Sequence, residues 1–109
     1  MSAGGADANV VYEVNLDLDA AIRGEYLTWL AAHVEEICAL PGFTGAAVFE
    51  VTDPPPATGR ASLSVQYRLV DQAALDVYLR DRAPRLRAEG LARFGARFRA
   101  SRRVLAALR

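Results

Sequence analysis

The chain contains no lysine, and all 13 of its basic residues are arginine. Schiff-base chemistry, lysine-bound pyridoxal phosphate and the phosphate-binding loop each need an amine, so all three are excluded. Cys38 is the single cysteine, which rules out an internal disulfide and every paired-cysteine zinc or redox motif. His33 is the single histidine, and the usual multi-histidine metal sites go with it. No apolar run reaches the length of a membrane span, and Met1 to Asn9 has neither the basic start nor the apolar stretch of a signal peptide. These absences point to a cytoplasmic protein with no cofactor, no metal and no membrane partner, whose residues 1–9 form a disordered tail.

What is present suffices for one core. Apolar residues make up 52% of the 109, enough to fold a single domain without disulfides or metals, and residues 10–105 are assigned to it, with 106–109 as a short C-terminal tail. Net charge is zero, but the charges are sorted: residues 1–55 hold nine acids and only Arg23, while residues 56–109 hold four acids and twelve arginines. Equal and opposite halves favour pairing of the chain with itself, within or between subunits, over an external polyanion.

From Val10 to Leu18 every second residue is apolar and Glu13, Asn15 and Asp17 alternate with them, which predicts a strand with one polar face. Asp19 is placed to cap a helix, along which Ile22, Tyr26, Trp29, Leu30, His33, Ile37 and Leu40 recur at helical spacing. Pro41-Gly42 ends that helix, and Phe43 to Val51 has the branched and aromatic content of a strand. The proline-rich stretch Asp53 to Gly59 predicts an exposed hairpin loop before a third strand, Arg60 to Val70, whose Ser62, Ser64, Gln66 and Arg68 face one way. Asp71 caps a second helix, Pro84 should kink or restart it, and it should end near Gly95. The last strand is expected at about Arg97 to Leu105.

This βαββαβ order is the ferredoxin-like α+β arrangement: a four-stranded antiparallel sheet with two helices on one face and the first strand between the third and fourth. In that arrangement Glu13 and Asp17 would lie beside Arg68 on one side and arginines of the last strand on the other. Glu35 and Glu36, acids in the last turn of a helix, oppose its dipole and call for an arginine from the second half.

His33 is the first candidate for chemistry, because it sits in the apolar stripe one turn after Trp29 and faces the sheet. Tyr12 and Tyr67 from the strands and Tyr78 from the second helix would surround it, so a partly desolvated imidazole could act as a base or anchor a ligand there. A core histidine hydrogen-bonded to a tyrosine or carbonyl is the plainer alternative. The aromatic residues at helical spacing read first as core, which for Trp29→Ala means about 3–5 kcal/mol. The arginines between Arg80 and Arg103 suggest nucleic acid, but the strand positions that would stack bases hold Glu13, Asn15, Asp17, Ser64, Gln66 and Arg68, so no nucleic-acid partner is expected.

Several short segments are familiar together: Val11-Tyr12-Glu13-Val14-Asn15, Trp29-Leu30-Ala31-Ala32-His33, Pro41-Gly42-Phe43, Val65-Gln66-Tyr67, Tyr78 through Ala83-Pro84-Arg85-Leu86-Arg87 to Phe94, and Arg102-Arg103-Val104-Leu105. In their order they resemble a bacterial family known as a domain of unknown function and similar to dimeric α/β-barrel proteins. The resemblance implies that fold and a homodimer in which two open sheet faces meet. It implies no activity; better-known proteins of the fold include cofactor-free monooxygenases, decyclising or isomerising enzymes and stress proteins, with ligands held between helices and sheet. Carried onto this chain, the pocket would involve His33, Trp29, Tyr12, Tyr67 and Tyr78, and the dimer face Glu13, Asn15, Asp17, Gln66 and Arg68. Two main readings follow, a homodimer that binds a small apolar or aromatic molecule near His33, with or without catalysis, and a structural or regulatory dimerisation module with a filled core; nucleic-acid binding is a distant third.

Overall fold

The alternation after Asn9 does produce a strand, β1 (Val10–Asp19), with Val10, Tyr12, Leu16 and Leu18 buried on one side. The structure, a computed structural model, describes residues 10–109, so the expected N-terminal tail lies outside the described residues. The Asp19 carboxylate accepts a hydrogen bond from the Ala21 amide at 3.0 Å and opens a single 3₁₀ turn (Ala20–Ile22) that leads into α1 (Arg23–Cys38). Of the α1 stripe, Tyr26, Leu30 and Ile37 are buried, while Trp29 and His33 are only partly so.

Pro41-Gly42 turns the chain into β2 (Phe43–Glu50). Gly42 has φ +87°, and a Cβ there would stand 2.4 Å from that of Ala74, so backbone conformation and close approach both require glycine. After the exposed proline loop, β3 (Arg60–Leu69) runs back along β2. Asp71 accepts from the Ala74 amide at 2.9 Å and caps α2 (Gln72–Asp81). The helix restarts rather than bends at Pro84, which has no N–H to donate and therefore suits the first turn of a new helix, α3 (Ala83–Phe94). A short turn (Gly95–Arg97) leads into β4 (Phe98–Ala106), which runs one residue past the expected domain end.

The four strands form one antiparallel sheet in the order β2-β3-β1-β4, with β1 central as the ferredoxin-like arrangement requires. The expected second helix is two, so three helices cover one face. The shortest dimension, 18 Å, is that of one sheet and one helix layer. Leu18, Ile37, Leu63, Leu69, Leu75 and Leu86 are fully buried between them.

The sorted charges meet across the fold. Arg103 pairs with Glu13 at 2.7 Å, Arg60 with Asp17 at 2.9 Å, Arg97 with Asp19 at 3.6 Å and Arg93 with Glu25 at 3.4 Å. Arg85 meets Glu36 at 3.1 Å, supplying the arginine that the end of α1 requires. Arg68 departs from the expected pattern. Its register partner on β1 is Val11, and its guanidinium lies across Gly45 of β2, where the missing side chain leaves room; Gln66 and Arg103 take Glu13 instead.

Candidate functional site between the helices and the sheet

The residues singled out around His33 converge on one cavity of about 280 Å³ between α1, α3 and the sheet. Tyr12 and Tyr67 are direct neighbours on β1 and β3, with ring centroids 6.1 Å apart, and Tyr78 of α2 meets Tyr12 edge-on at 5.9 Å. Trp29 and His33, one turn apart on α1, stack at 4.5 Å with 19° between their planes. The structure thus brings all five expected pocket residues to its lining. Trp29 is half-buried rather than a core residue, because one side of its ring borders the cavity, so Trp29→Ala should cost less than a full core truncation.

Three further residues complete the site. Gly90 of α3 is buried, and a Cβ there would stand 3.3 Å from the Trp29 ring, so glycine lets the indole lie close to α3. Arg87, one turn before it, donates from Nη2 to the Tyr12 hydroxyl at 2.9 Å. Arg102 stands opposite Val14 in the β1–β4 register and so shares the helix-facing side. The sequence carried a signal for Arg102, which continues the alternation of Phe98 and Ala100. Arg87 is flanked by the buried Ala83, Leu86 and Gly90, but it lies among the arginines from Arg80 to Arg103, for which the sequence suggests no ligand role.

The titrating groups follow from burial. Desolvation holds the His33 imidazole below its ordinary value of 6.5, against an opposing pull from Glu36 and Glu89. The ring is therefore neutral at pH 7 and can accept a proton. Neither of its nitrogens has a hydrogen-bond partner among the described residues. Burial pushes the Tyr26 and Tyr78 phenols up to about 12, and Tyr67 further, so all three remain neutral donors. Burial also raises the Cys38 thiol, which leaves it a poor nucleophile. No cluster of three or more metal-ligating His, Cys, Asp or Glu side chains occurs among the described residues.

The opposite face of the sheet holds the expected dimer residues. Glu13 is almost wholly buried there and accepts from Asn15 at 2.8 Å, Gln66 at 3.1 Å and Arg103 at 2.7 Å, and these bonds, Arg103 first, hold its carboxyl below the usual range. Asp17 and Arg68 stand further out and exposed. Ser64, pairing Asn15 in register, is 7% exposed, and its hydroxyl is buried without a partner among the described residues. Val70 lies just past β3 beside Gly42.

Comparisons with solved structures return the same fold. SnoaB, a cofactor-independent oxygenase from Streptomyces nogalater, superposes with a TM-score of 0.66 at 16% identity, covering 93% of this chain and 95% of its own. A putative antibiotic biosynthesis monooxygenase from Deinococcus radiodurans gives 0.70 at 13% identity, covering 92% and 93%. The heme-degrader MhuD from Mycobacterium tuberculosis, solved with two hemes in its active site, gives 0.64 at 18% identity, covering 92% and 96%. At these identities the likeness is one of fold. No curated protein matches the chain. In sequence, residues 9–108 match the family described as "Domain of unknown function (DUF4286)".

Proposed function

The chain belongs to the DUF4286 family, whose description names no activity, and from the site itself we propose that it binds a small aromatic molecule in the cavity beside His33. The carrying observation is the imidazole. It is partly buried and stacked on Trp29, and neither nitrogen bonds to a described protein group or is sealed from solvent, so both stay open to the cavity, whereas a histidine of a filled core would have its polar atoms buried and satisfied. The lining fits the same reading: aromatic walls with a few convergent polar groups are the usual make-up of a small-molecule site. Whether the bound molecule is also transformed depends on a reacting partner for His33. The described residues supply one neutral base and phenol donors, and none of their acids is hydrogen-bonded to the imidazole to form a triad.

We place this cavity in a cytoplasmic homodimer formed through the uncovered sheet face. In support, that face carries the buried, fully hydrogen-bonded Glu13, the unpartnered Ser64 hydroxyl, and Phe49 of β2, 48% exposed across from Ser64. A two-fold contact sets this patch against itself.

A thermal-shift screen of small aromatic compounds tests the binding reading. Compounds that bind the native state raise the unfolding temperature by mass action, and His33→Ala is expected to abolish the rise while leaving the protein folded. Equal stabilisation of parent and variant would remove His33 from the site. A screen without stabilising compounds would favour the dimerisation module.

A further inference from the structure

Resting on the ligand-binding reading, we infer that the cavity selects an aromatic molecule bearing an acidic group, with Arg87 and Arg102 holding the anionic end. Seven arginines of this chain (Arg23, Arg60, Arg80, Arg85, Arg93, Arg97 and Arg103) lie within 4 Å of a described carboxylate. The two that line the cavity have no such partner among the described residues, and no Asp or Glu lines the cavity with them. The two acids whose charge acts on His33, Glu36 and Glu89, are both engaged by Arg85.

Two guanidiniums beside one apolar space, without a counter-charge, form a ready anion site. Their planar donor forks match a carboxylate, and standing at the solvent-facing edge of the cavity they would hold the charged end of a ligand whose rings lie inside. Arg87 is already oriented, since its bond to the Tyr12 hydroxyl fixes one nitrogen and leaves the remaining donors for a ligand. The walls specify the rest of the molecule. Trp29, His33, Tyr12 and Tyr67 offer flat faces and edges to a ring system. A cavity of about 150 Å³ accepts benzene, so 280 Å³ suits a molecule of about two rings.

The test compares 2-naphthoate with its neutral isostere 2-naphthamide, using quenching of Trp29, the single tryptophan, as the readout. The parent protein should bind the carboxylate about tenfold more tightly, the scale of a charge-assisted hydrogen bond. Arg87→Gln and Arg102→Gln should each erode that preference and the double variant should lose it, while Arg→Lys at either position should keep part of it. Both arginines are exposed enough for the variants to fold, which circular dichroism would check. Equal binding of acid and amide by the parent would overturn the inference and leave the binding reading standing. A preference that survives in the double variant would also overturn it, by placing the anion elsewhere. If neither compound quenches Trp29 at millimolar concentration, the binding reading itself fails and the inference with it.

Discussion

Replacing Glu13 by alanine is expected to lower the unfolding temperature at pH 7 by roughly 10 °C, the effect of about 1–3 kcal/mol on a domain of this size. The argument is one of satisfaction. The carboxylate is 4% exposed and accepts three side-chain hydrogen bonds, so its removal leaves the Asn15 and Gln66 amides without their acceptor on a partly buried surface. Arg103 is mostly solvated and contributes little to that loss. The pH dependence has a definite sign. Because the folded carboxyl titrates below its ordinary value of 4.5, its contribution is complete above that pH and is lost as pH falls through the lower folded value. The stability gap between parent and Glu13→Gln should therefore be constant from pH 7 to about pH 5 and narrow below about 4.5. A gap still unchanged at pH 3 would show that the carboxylate's charge is not what matters.

Ser64→Arg is expected to convert a dimer into a monomer. Light scattering on the parent should return about twice the 11.8 kDa chain mass at micromolar concentration, as a standard-size interface allows. Ser64 sits between Asn15 and Phe49 on the uncovered face, so a two-fold contact would bring two introduced cations together in desolvated surroundings. Ser64 is itself buried in the single subunit, so circular dichroism must show the variant folded before its mass is read as loss of the dimer. Arg68→Glu is expected to act more weakly, because Arg68 lies out over Gly45 and pairs with neither Glu13 nor Asp17. A monomeric parent would contradict the assembly, and a dimer indifferent to Ser64→Arg would move it to another surface.

Most of the fold was legible because local signals agreed with one another. The alternation of β1, the Asp19 and Asp71 caps, and the stops at Pro41-Gly42 and Gly95 all lie in short stretches of chain, and the structure uses each of them. The five aromatic pocket residues were legible for the same reason, since each lies in the inward phase of its own element. The partners of particular charges were not. Register decides whether Arg68 or Gln66 stands beside Glu13, and the room over Gly45 decides where the Arg68 guanidinium goes. Arg87 was hidden by composition: in a half of the chain with twelve arginines, only the fold shows that this one on α3 faces the cavity.

The most direct measurement is the NMR signal of the imidazole in histidine-labelled protein, where His33 gives the only such resonance. In the unliganded protein it should titrate with a midpoint below 6.5, as burial dictates. Added 2-naphthoate or 2-naphthamide should shift the resonance saturably and displace that midpoint, because the ring borders the occupied space. A resonance unmoved by either compound, with an ordinary midpoint, would contradict the claim that the cavity beside His33 is a binding site.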